Sequence, residues 1–132
     1  MMTIKEFVTW LESQGVDGVY EGYIPKDKER VIGVYKRPDV AQPEAYGQSS
    51  YNILGLTILI HWTKGMEATE TQANALNALL DRAPFSTTSH TGWIKVTRGP
   101  VDVGKDEKGI CEWTIDISVY AKPINTGGNN NG

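Results

Sequence analysis

Apolar residues first recur at helical spacing. Ile4, Phe7, Val8 and Leu11 fall on one side of residues 4–14, and Thr3 with Glu6 forms a T-x-x-E capping box ahead of them. Gly15 is placed to end this helix as a left-handed cap, folding Val16 back onto Leu11. The pattern then shortens to β-type stretches. Residues 18–24 and 30–35 flank the polar segment 25–29, which predicts a hairpin with a charged tip. Residues 38–50, PDVAQPEAYGQSS, have two prolines and no periodicity, so they predict a loop that binds something or lacks fixed structure. Residues 51–62, YNILGLTILIHW, are the most apolar stretch and predict a central strand covered on both faces.

A second helix is predicted over 67–82. Ala73, Leu76, Leu79, Leu80 and Ala83 lie inward, Glu70, Asn74, Asn77 and Asp81 outward, and Pro84 stops it. Residues 93–98 alternate as a strand, and a terminal hairpin follows with a short strand at 101–103 and a tip at 105–109. Its long second strand sets Trp113, Ile115, Ile117 and Val119 against Glu112, Thr114, Asp116 and Ser118. The whole predicts one α+β domain over residues 1–124, with a mixed or antiparallel sheet of about five to six strands packed by two helices. The polar tail, 125–132, is expected to be disordered.

Composition narrows the function classes. A chain of 132 residues holds one domain, and 13 Lys and Arg against 16 Asp and Glu give a net charge of -3. That balance exerts no general pull on nucleic acid or anionic lipid. The single cysteine, Cys111, excludes an internal disulfide and fits a reducing compartment. No apolar run has transmembrane length and the N-terminus lacks a signal pattern, so a soluble protein made without export through a signal peptide, with no membrane partner, is expected.

Several chemical motifs fail on inspection. Gly99, Gly104 and Lys105 have phosphate-loop spacing, but Asp106 stands where a Mg²⁺-binding hydroxyl is needed and a strand follows in place of a helix. A Ca²⁺ loop begun at Asp102 would put Gly104 and Trp113 at ligand positions. His61, His90 and Cys111 have no linking motif spacing, so no metal site and no cofactor are expected from them. Six tyrosines and four tryptophans offer stacking surfaces without a basic groove around them, which favours core or subunit-interface roles over single-strand binding. Asp102, Asp106 and Glu112 leave open a small metal-dependent nuclease or hydrolase. Residues 38–50 leave open a ligand-binding module.

The order helix, hairpin, apolar strand, helix, strand and terminal hairpin, with ILIHWTKGMEATETQANAL, Gly99-Pro100, Gly104-Lys105-Asp106, Gly109 and Glu112-Trp113-Thr114, resembles the minor capsid or tail-terminator proteins of long-tailed bacteriophages and prophages. The resemblance implies a non-enzymatic virion-assembly protein built in the host bacterial cytoplasm. It further implies a ring, commonly a hexamer, that caps the tail-tube protein and joins it to the head-tail connector, DNA only passing through the lumen. A neck-region minor capsid protein is the alternative within that class. Rings need two unlike contact patches. The candidate contact residues are Lys26 and Arg30 on the first tip, Tyr46 in the long loop, and Lys105, Asp106 and Lys108 on the second tip.

Overall fold

The computed structural model describes residues 1–38, 40, 42 and 51–124; the Tyr46 and 125–132 expectations lie outside these. Helices α1 (Ile4–Ser13) and α2 (Met66–Leu80) pack on a six-stranded sheet. Its strands are β1 (Val19–Glu21), β2 (Val31–Lys36), β3 (Asn52–His61), β4 (Pro84–Ser86), β5 (His90–Lys105) and β6 (Cys111–Pro123), in spatial order β1-β2-β3-β6-β5-β4. The predicted α+β class with two helices is the observed one.

Local chemistry explains α1. Thr3 accepts a hydrogen bond from the Glu6 amide at 3.1 Å. The capping box is only half made, because the Glu6 carboxylate turns instead to the β4–β5 turn, where Thr87, Ser89 and His90 meet it. At the far end the Gly15 N–H donates to Glu12 O and the Val16 N–H to Leu11 O, the pair of hydrogen bonds of a Schellman cap. Helix α2 ends at Leu80, ahead of the predicted residue 82, because Asp81 leaves the helical region and Arg82 takes a positive φ of 59°.

Ile32, Val34, Leu56, Ile58, Ile60, Ile115, Ile117 and Val119 point to one face of the sheet and are buried in a single cluster with Phe7, Leu11, Leu76 and Leu80 of the helices. The sheet curls around this cluster. Helix α1 packs on β1 and β2, and its Trp10 also meets Phe85 of β4 at 6.2 Å, so both edge strands reach the same helix.

Three expectations are corrected. First, β1 and β2 are not a hairpin: Val19, Tyr20 and Glu21 pair in parallel with Ile32, Gly33 and Val34. The connection, residues 22–30, crosses the second face of the sheet, setting Ile24 down on Gly33, where an added Cβ would come within 2.8 Å of the Ile24 Cγ2. Burying Ile24 there outweighs the tight turn that its polar neighbours suggest. Second, β3 carries helices on one side only; Thr57 and Leu59 on the other side remain half-buried. Part of that side is occupied by Val40 and Arg37 above Gly55, with the Arg37 guanidinium donating to Leu56 O and Ile117 O at 2.7 and 2.9 Å. Third, the strands predicted at 93–98 and 101–103 are one strand. β5 runs through Gly99-Pro100 with register shifts between Val96 and Arg98, Arg98 and Val101, and Asp102 and Gly104. Pro100 is tolerated because β4 pairs with β5 only as far as Trp93, leaving its outer side free of ladder bonds.

Candidate functional site

The predicted contact residues separate into two clefts on either side of the β5–β6 tip. Lys26, Asp106 and Lys108 come together with Glu107 and Glu112 around a cleft of about 230 Å³. The crossing of the second face explains this: loop 22–30 carries Lys26 across the sheet to the second tip. Lys105 lines a separate cleft of about 190 Å³ with Met66, Glu70, Asp102, Gly104 and Trp113. Arg30 is exposed, pairs with neighbouring Glu29 at 3.9 Å, and donates its backbone N–H to Trp62 O.

This division breaks the acidic trio proposed for a nuclease. Asp102 faces Trp113 across the ladder and its carboxylate accepts from the Gly104 amide at 2.8 Å. Asp106 and Glu112 converge instead on His61, a residue whose sequence spacing gave no sign of such partners. His61 and Glu112 stand directly opposite each other on β3 and β6, with Nδ1 and Oε2 2.8 Å apart. A carboxylate only accepts, so the Nδ1 proton lies between them. Asp106 approaches the other ring nitrogen, its Oδ2 3.8 Å from Nε2. The same Asp106 builds the tip: Oδ1 accepts from the Lys108 and Ile110 amides, both at 2.9 Å. The Ile110 hydrogen bond is the main reason that the Asp106 carboxyl is held below its usual value; burial opposes it, and the Lys108 amide, His61 and the Lys108 charge reinforce it. Tyr35 is pushed above the usual phenol value by burial and then by the Glu112 charge.

An aromatic patch occupies the far end of the same ribbon. Trp93 stacks on Tyr120 at 4.9 Å and 8°, Tyr51 meets Trp93 edge-on at 4.7 Å, and the Lys122 ammonium lies 5.6 Å from the Tyr51 ring centre. Trp93 is 40 % exposed despite its size. At the tip end Val103 and Met66 are exposed as well. Sequence reasoning missed this patch. Its signal was there: Trp93 and Tyr120 fall in the polar phase of their strands, where large aromatics are out of place unless they meet a partner.

A curled sheet with helices on one face, clefts of modest size, and apolar groups exposed at both ends of one ribbon define a small assembly domain. The chain belongs to the bacteriophage tail terminator family, whose family model matches residues 8–122. Its role is therefore structural, in tail assembly, as a virion component. No curated protein sequence matches the chain. One solved structure, 12% identical, covers 97% of this chain and 100% of its own with a TM-score of 0.45, too loose a likeness to argue from. Among the described residues, no helix is long and apolar enough to cross a membrane.

Proposed function

We propose that copies of this chain close head to tail into a ring, most simply a hexamer. The ring caps the tail tube on one side and meets the head-tail connector on the other, while DNA passes through its lumen. Assembly takes place in the host cytoplasm and involves no bond-making chemistry. The observation that carries this reading is the pair of unlike apolar patches at opposite ends of the β5–β6 ribbon, Trp93 with Tyr51 at one end and Val103 at the other. A closed ring requires such a pair, because each subunit offers one patch to one neighbour and the second patch to the next. Charged Lys26, Lys105 and Lys108 near the second end provide salt-sensitive contacts for the rim.

The test is complementation between two blocked subunits. Trp93→Asp and Val103→Asp each stop ring formation, as read by light scattering and electron microscopy with and without tail tubes. An equimolar mixture of the two retains one intact patch pair and yields dimers only. A wild-type chain that remains monomeric at every concentration and on tail tubes would end the proposal.

A further inference from the structure

We infer that His61 and Asp106, with Glu112 orienting the His61 ring, form a binding site for a divalent transition cation of the zinc class. One ligand atom from each residue lies within 4.8 Å of the other two. Acidic groups alone would not justify a site; the histidine does. His61 is fully buried, and its Nε2 has no hydrogen-bond partner among the described residues. With the proton held on Nδ1 by Glu112, the buried Nε2 presents a bare lone pair toward the Asp106 carboxylate at the wall of the cleft, two electron-rich atoms facing each other. A cation between them resolves this conflict. The 3.8 Å separation is too long for a hydrogen bond. It is close to the ligand spacing across a tetrahedral ion, about 3.3 Å for bonds of roughly 2.0 Å.

The supporting arrangement is also in place. Glu112 on Nδ1 makes the carboxylate–histidine pair that orients a metal-binding imidazole, and the two amides on Asp106 Oδ1 leave Oδ2 free to ligate. The adjoining cleft lets solvent fill remaining positions. Lys26 and Lys108 also line the cleft, and the Lys108 charge acts on the Asp106 carboxylate. An imidazole in the set selects zinc, cobalt or nickel over Mg²⁺ and Ca²⁺. Binding joins the β5–β6 tip to the last residue of β3 and is independent of whether the chain forms rings.

The full chain, stripped with chelator, is titrated with Co²⁺ and followed by visible absorption, then with Zn²⁺ by calorimetry. One equivalent binds, the cobalt band appears, Zn²⁺ displaces it and excess Mg²⁺ does not. Asp106→Asn keeps the amide acceptor of the tip and weakens binding at least tenfold, and Glu112→Gln weakens it tenfold to a hundredfold. Cys111→Ala and His90→Gln leave it unchanged. Because His61→Ala empties a fully buried position and so perturbs the fold, the His61 ring is followed instead by NMR in the wild type, where its resonances shift on saturation with Zn²⁺. No cobalt band, unchanged affinity in Asp106→Asn, loss of the band in Cys111→Ala, or a His61 ring that is protonated on both nitrogens and indifferent to metal would each overturn the inference.

Discussion

The two faces of the sheet are built on different chemistry. On the helix side Leu56, Ile58, Ile60, Ile115 and Ile117 are completely buried aliphatics with no polar atom in their side chains. On the other side, at alternate positions of the same strands, are Thr57, His61, Glu112, Asp116 and Tyr120. There the contacts are specific pairs: Thr57 to Asp116 at 2.7 Å, His61 to Glu112 at 2.8 Å, Tyr120 on Trp93. One face supplies cohesion through area removed from water, and the other is held by pairs whose strength depends on direction and charge. Apolar packing and directional pairing thus sit one residue apart along each strand.

Point changes sharpen this contrast. Ile117→Ala, at the centre of the helix side, is expected to cost about 2–5 kcal/mol in urea denaturation, with no change in a fold-independent property such as metal binding per folded molecule. Glu6, which fastens α1 to the β4–β5 turn, is next. Burial alone would raise its carboxyl, but hydrogen bonds from Thr87, His90 and Ser89 and the attraction of His90 outweigh it, so the folded value lies below the usual one. A depressed folded value means that the contribution is complete above the unfolded value of about 4.3 and disappears as pH falls through the folded one. Acid titration of stability should show that loss in the wild type and a flatter acid limb in Glu6→Gln, while Glu6→Ala costs about 1–3 kcal/mol at neutral pH by stranding its donors. The smallest effect is on the second face. Thr57→Val removes one hydrogen bond to half-buried Asp116 and is expected to cost about 1 kcal/mol, measurable as a shift in the urea midpoint. If Thr57→Val proved as costly as Ile117→Ala, the division between the faces would not hold.

What was legible in the sequence follows the range of the interactions. Helix α1 with its Thr3 cap and Gly15 terminus depends on contacts within five residues, and it was readable almost to the residue. The alternation in β6 likewise announced Ile115 and Ile117 as inward. The direction of β1 was not readable, because the polar run 25–29 looks the same whether it turns back or crosses the sheet; Ile24 on Gly33 decides, and that contact depends on tertiary packing. His61 and Glu112 are separated by 51 residues, so only strand partnership could reveal them as a pair. Asp106 and Lys108 were read correctly as belonging to a tip, while the buried His61 ring that Asp106 approaches came from the fold. Gly99-Pro100 looked like a break because a proline cannot donate to a ladder, yet on an outer strand no donor is missed.

The register shifts of β5 have a consequence for crowding. Beyond Trp93 this strand is the longest stretch of outer backbone in the molecule's described residues, the kind of rim onto which another chain could zip without limit. Three irregularities, a proline and the cations Lys95, Arg98 and Lys105 spoil the flat, evenly spaced template that such zipping needs. Fibre-like growth by strand addition along β5 is thereby disfavoured at high local concentration, which leaves contacts through side chains, where geometry can count subunits and stop, as the favoured way for a copy to join at this rim.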